Sequence, residues 1–391
     1  MSINKSPIPI SISLDDNFPG NIRPQESKNY KRLLLISAYA VLIAVCISLI
    51  AKLLIHLISV VTNLSFFGTL SIHEHSPHTN TLGLWVIVIP AIGGLIVGLM
   101  ALYGSKAIRG HGIPEAMEQI LTNQSKIKPS ITYLKPLSSA IAIGTGGPFG
   151  AEGPIIATGG ALGSTLGQLL RITNTERKIL LASGAVAGMT AIFGTPLAAI
   201  FLAIELLLFE FSPRAIIAVS LACITGAGGH HLLFSSQPVF YTEHLISMPT
   251  NLATFYYSLL GIMIGFIAIG VTKAVYAVED LFERLPIHWM WWPAIGGLAV
   301  GIIGYFAPRT LGVGYENITA LLGGELPFYA VLSLCLFKFC SWAIALGSGT
   351  SGGTLAPLLT IGAATGILIA QAFIYFFPDA GIDLGLAALI G

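Results

Sequence analysis

Charge is what this chain has least of. Lys, Arg, Asp and Glu make up 9% of its 391 residues, where a water-soluble domain carries about 25%. A surface so poor in charge faces lipid, and a soluble globular protein is excluded. The formal net charge of +1 leaves no basic footprint for a nucleic-acid partner. Cysteine is scarce as well: Cys46, Cys223, Cys335 and Cys340 all lie inside apolar runs, without metal-ligand spacing. They build neither a disulfide framework nor a zinc module and are expected to be buried, inert thiols. No nucleophile or metal-ligand set accompanies the carboxylates of the apolar segments, so an enzyme is not expected, nor a cofactor. The first thirty residues lack the apolar core of a cleavable signal peptide. Residues 1–30 are expected to form a polar cytoplasmic tail.

What is present is apolar: 54% hydrophobic residues and a mean hydropathy of +0.82. Arg23, Lys28, Lys31 and Arg32 precede the first long apolar run, which places the N-terminus in the cytoplasm by the positive-inside rule. Lys52 and His56 interrupt that run without ending it, as in a long tilted helix with snorkelling side chains. The segments 63–84 and 235–251 contain no Lys or Arg and read as outside loops. In the first of them His73, His75 and His78 have a spacing open to zinc or copper, although a polar loop is the simpler reading.

The stretch Gly144–Pro154, GTGGPFGAEGP, holds five Gly and two Pro in eleven residues, so it cannot continue a helix. Apolar segments flank it, which sets broken backbone at membrane depth. Such backbone survives only where it is buried in protein or lines a polar cavity. With Pro154 as the first helical residue, the preceding amides point into that cavity and attract anions. Glu152 is the one carboxylate among them. An intramembrane carboxylate is a functional residue by default.

The second half repeats the first. Pro90–Gly98 reads PAIGGLIVG and Pro293–Gly301 reads PAIGGLAVG. At an offset of 338 − 135 = 203 Lys135 meets Lys338, Gly144 meets Gly347, Gly150 meets Gly353, Pro154 meets Pro357, and Glu152 meets Leu355. The first copy begins on a basic flank and the second on a flank free of Lys and Arg, so the copies have opposite topology, with the site at their interface. The expected architecture is an all-α polytopic membrane protein, with repeat 1 over residues 31–235 and an incomplete repeat 2 over 251–391. Leu384–Gly391 is apolar and uncapped, and a continuation by further helices is expected.

Three motifs, GHGIP (Gly110–Pro114), GAEGP (Gly150–Pro154) and GTLAP (Gly353–Pro357), resemble in order the CLC family of chloride channels and chloride/proton exchangers, prokaryotic type. The resemblance runs from about Lys31 to the end. It implies an inverted repeat of tilted, broken helices in a bacterial inner membrane, and a homodimer with one anion pathway per subunit. Chloride or a similar small anion, protons and the lipid bilayer would be its partners. Glu152 would be the gating residue. The His111 side chain and backbone at Gly112, Ile113, Ala151, Glu152, Gly153, Thr354 and Leu355 would hold the anion. Four positions depart from the family pattern. His111 stands where Ser is common, Ala151 where a basic residue is, and Leu355 where Phe is. Leu206 replaces the exchangers' inner glutamate, with Glu205 one residue earlier as a candidate for the proton path.

Several residues carry two readings. His111 either faces the anion or bonds a neighbouring carbonyl. Glu205 is structural or proton-carrying. Glu115 and Glu118 read as partners of a helix dipole. Lys135 and Lys338 either raise the local potential or snorkel to the membrane surfaces. The competing functional classes are a transporter of another solute on the same inverted-repeat design, and a partial subunit inactive alone.

Overall fold

The computed structural model describes residues 30–170, 172–234, 239–241, 248–324 and 326–391. The expected tail, Tyr30 excepted, and most of the outside segment 235–251 lie beyond these. Among the described residues the chain is all helix, apart from one isolated antiparallel bridge between Gly150 and Gly353.

Helix α1 (Tyr30–Thr62) opens the first copy and α9 (Asn251–Glu283) the second, each 33 residues long. At 1.5 Å per residue that is about 50 Å, against a hydrocarbon core of about 30 Å, so both must tilt. Lys52 lies with its ammonium 4.8 Å from the centre of the Phe234 ring. After α1 come α2 (Val88–Tyr103), the short α3 (Ile113–Thr122), α4 (Ile131–Gly144) and α5 (Glu152–Leu169). Helices α6 (Asn174–Phe193), α7 (Pro196–Leu202, prolonged by a π-turn Ala203–Leu208) and α8 (Pro213–Leu233) complete this half. The second half follows the same order: α10 (Trp292–Phe306), α11 (Tyr315–Leu322), α12 (Phe328–Gly347), α13 (Leu355–Phe376) and α14 (Leu384–Ile390). Seven of the described helices are long and apolar enough to cross a membrane.

The halves are joined by reciprocal contacts. A β-carbon on Gly94 would meet the Pro293 carbonyl oxygen at 2.0 Å, and one on Gly297 the Pro90 oxygen at 2.2 Å. Gly98 stands in the same way against Met290, and Gly301 against Ile87. Each pair is the other shifted by 203 residues (297 − 94 and 293 − 90) with the roles exchanged. That exchange is the signature of a two-fold axis between the copies, and the antiparallel register of the contacts, Ile87 against Gly301 and Gly98 against Met290, bears out their opposite topology. Small residues let α2 and α10 approach backbone to backbone, the usual means of joining helices where lipid removes the hydrophobic drive. Within the first half α5 and α6 meet alike, at Gly159 and Gly184. Helix α5 is thereby buried along most of its length.

Two local expectations need correction. Helix α5 begins at Glu152, so Pro154 is its third residue, not its first; the first four amides of a helix lack intrahelical acceptors, so a proline there costs no bond. Cys46 and Cys340 are exposed, Cys335 is half-buried and only Cys223 is buried. An apolar residue in a membrane helix can be solvated by lipid as well as by protein, so an apolar run does not imply burial in the chain.

Gly297→Val should destabilise the protein by about 1–3 kcal/mol or prevent its assembly, because the α2–α10 backbones have no room to separate. Gly265→Ala, in α9 with open space around it, should be neutral. Thermal unfolding of both variants in detergent checks this; equal behaviour would contradict the close crossing.

Candidate functional site

Both broken stretches turn at a glycine with a left-handed backbone, Gly146 (φ +102°) and its repeat partner Gly349 (φ +72°). They then run toward each other and pair. The Gly150 amide donates to the Gly353 carbonyl and the Gly353 amide to the Gly150 carbonyl, each at 3.0 Å. Two repeat-equivalent residues can exchange bonds in this way only beside the two-fold axis. The N-termini of α5 and α13 therefore meet there, amides inward, and make a concentrated electropositive backbone patch.

Glu152 fills it. Its side chain is fully buried (0% exposed). One carboxylate oxygen accepts the Ala356 amide at 2.6 Å, from the first turn of α13; the other accepts the Tyr315 hydroxyl at 3.2 Å. The amides of Leu355 and of Glu152 itself also face it. The carboxylate folds so closely over Gly150 and Gly353 that a β-carbon on Gly150 would lie 1.9 Å from it. A side chain at position 150 would displace the carboxylate from this seat.

The first motif packs onto the same point. A β-carbon on Gly112 (φ +109°) would meet the Gly153 carbonyl oxygen at 2.3 Å, and one on Gly153 the His111 carbonyl oxygen at 2.3 Å. So His111, Gly112, Ala151, Glu152, Gly153, Leu355 and Gly353 come together. Ile113 opens α3, and Thr354 is the residue before α13. The buried Nδ1 of His111 has no hydrogen-bond partner among the described residues. The same residue lines a cavity of about 550 Å³ shared with Lys106, Arg109, Trp289 and Glu279. Glu205 is not brought in: it lies in the π-turn after α7, on the exposed side, with Leu207 and Leu208 facing the core.

Four partnerships were not anticipated. Lys135 and Lys338 do not snorkel; they are 1% and 0% exposed. The Lys135 ammonium donates to the carbonyls of Ile108 and Gly110, and that of Lys338 to Thr310 and Gly312 at 3.0 Å each. Each lysine thus supplies donors to the carbonyls leading into its copy's glycine motif. Glu115 goes beyond a dipole partner: its two oxygens accept the His111 and Gly112 amides, each at 2.5 Å, so the Gly112 amide expected to hold the anion is engaged by Glu115. The three-residue spacing from Gly112 to Glu115 is that of a capping box and could have signalled it. Tyr315 and Ala356 were missed as partners of Glu152. In the histidine loop, His75 bonds the Asn63 side chain (2.9 Å) and His78 bonds Ser76 (2.7 Å).

Residues 92–391 match the protein family described as Voltage gated chloride channel. Over 294 residues the chain is 30% identical to an H(+)/Cl(-) exchange transporter, ClcA, of Yersinia pestis, covering 72% of this chain and 60% of that protein. Over 299 residues it is 27% identical to the voltage-gated ClC-type chloride channel ClcB of Escherichia coli, covering 75% and 70%. The chain thus spans about 60% of the length of the first of these curated relatives. Its fold is similar to that of a slow cyanobacterial Cl⁻/H⁺ antiporter (TM-score 0.75, 20% identity, 90% of this chain and 83% of that one). It also resembles a eukaryotic CLC transporter (TM-score 0.74, 18% identity, 93% and 64%).

Lys338→Met should lower stability by about 2 kcal/mol. Two orphaned carbonyls cost about 1–3 kcal/mol each, partly offset because an ammonium is no longer buried. Lys135→Met should act in the same direction. Detergent melting curves unchanged in both would mean that the carbonyls find other donors.

Proposed function

The chain belongs to the voltage-gated chloride channel family, and on that premise we propose that it passes a small inorganic anion, chloride first among the candidates, across the bilayer, with Glu152 as the plug of the pathway. The observation that carries this reading is the buried Glu152 carboxylate seated on the Ala356 amide where the two copies meet. Its oxygens stand where the anion would be. Ionised, the carboxylate competes with the anion for the same backbone amides. Protonated, it loses its charge, leaves the amides at the α5 and α13 N-termini, and the anion takes its place. A halide needs only convergent N–H donors, which broken helices supply without a formal positive charge.

His111 is part of this proposal as a ring facing the anion route. Its unpartnered, buried Nδ1 and the cavity it shares with Lys106 and Arg109 support that role. Backbone at Ile113, Ala151, Gly153, Thr354 and Leu355 completes the candidate lining, while the Gly112 amide is held by Glu115. Glu205 has no such support, since it lies on the exposed side of its π-turn. The proposal also places the basic flank at Lys31 and Arg32 in the cytoplasm, and includes assembly as a homodimer. Relatives of both kinds, a proton exchanger and a channel, match the chain at similar identity. The coupling mode is therefore a matter for the flux assay.

Reconstituted in vesicles, the protein should dissipate a chloride gradient, and an accompanying pH change would mark exchange with protons. Flux should rise as pH falls, because protonation unseats the plug. Glu152→Gln should carry flux that no longer responds to pH; an unaltered pH response would reject Glu152 as the plug. His111→Ser should reorder the preference among chloride, nitrate and fluoride, and an unchanged order would remove His111 from the ion's path.

A further inference from the structure

The repeat makes one polar pair visible of which only Glu152 lies in a motif. Ile113 and Tyr315 are equivalent (315 − 113 = 202, the offset of Gly112 and Gly314), and so are Leu355 and Glu152 (355 − 152 = 203). In one half-site the helix start carries Tyr315 and the facing residue is Glu152; by the two-fold relation the other half-site has Ile113 and Leu355. The two departures from internal symmetry face each other. The Tyr315 hydroxyl donates to Glu152 at 3.2 Å, across 163 residues of sequence.

The Tyr315 side chain is held in place by its backbone and by two neighbouring rings. Gly314 (φ +74°) sets the start of α11. The Tyr315 ring stands edge-on to Phe193, with centroids 6.2 Å apart at 61°, and to Phe240, at 5.7 Å and 77°. Such edge contacts fix a ring's orientation. On its other side Tyr315 lines, with Ala151, Val313, Glu316 and His78, a cavity of about 380 Å³. A carboxylate leaving the Ala356 amide has to break the bond to Tyr315 as well.

We propose that Tyr315 is a latch: a positioning residue that holds ionised Glu152 in the anion site and so sets how strongly an anion must compete to displace it. The proposal rests on the reading of Glu152 as the plug. A hydroxyl bond to an ionised group changes an equilibrium about ten- to hundredfold. The latch therefore weakens apparent anion affinity by that order while Glu152 is present, and has no effect once the carboxylate is removed.

The experiment is chloride titration calorimetry on the purified chain in detergent, for the wild type, Tyr315→Phe, Glu152→Ala and the double variant. Phenylalanine keeps the ring between Phe193 and Phe240 and deletes only the donor. Tyr315→Phe should bind chloride about tenfold more tightly than the wild type. In the Glu152→Ala background the same change should alter affinity by less than about twofold. A shift of equal size in both backgrounds would show a packing effect and overturn the latch. So would an unchanged affinity in Tyr315→Phe when Glu152→Ala alone tightens binding. If Glu152→Ala leaves chloride affinity at the wild-type value, the plug itself is wrong and the latch falls with it.

Discussion

Broken backbone at membrane depth has to find partners inside the protein, and the architecture follows from how this chain meets that demand. Water is absent from the hydrocarbon, so each exposed amide or carbonyl is costly until paired. The two interrupted stretches meet the demand first with each other, through the paired bonds of Gly150 and Gly353. The carbonyls on the approach to each glycine motif are met by a buried lysine, Lys135 in one copy and Lys338 in the other. The His111 and Gly112 amides are met by Glu115. The amide of Ala356 is met by Glu152 alone of these side chains, and from the opposite copy.

That last arrangement differs in kind from the others. The lysines appear in both copies and serve the frame. Glu152 has no counterpart, because Leu355 occupies its repeat position, and the same holds for Tyr315 against Ile113. A symmetric frame that carries one asymmetric, titratable occupant separates stability from response. The glycine crossings of α2 on α10 hold the halves together, while a single carboxylate can change its charge without disturbing them.

Much of this was legible in the chain itself. The offset of 203 residues from Lys135 to Pro154 runs without a gap, and an inverted repeat read from it needs only composition and flank charge. Glu152 stood out because a lone carboxylate among glycines at membrane depth is too costly to keep without a role there. The lysines were harder. Nothing local distinguishes an ammonium that snorkels from one that turns inward onto carbonyls about 25 residues away in sequence. Cysteine burial was misread for a related reason, since hydropathy reports an apolar setting but does not separate lipid from protein.

The sequence by itself determined that the chain lives in lipid, that it is built of two opposed copies, where each copy's helices break, and which carboxylate lies at a break. These are properties of composition, periodicity and local backbone chemistry, carried within a few dozen residues. Only the tertiary structure decided what meets that carboxylate. Its donors at Tyr315 and Ala356 stand 163 and 204 residues away. They reach it because the two-fold axis, set by the glycine crossings, brings the starts of α5, α11 and α13 to one point. No local rule encodes that convergence.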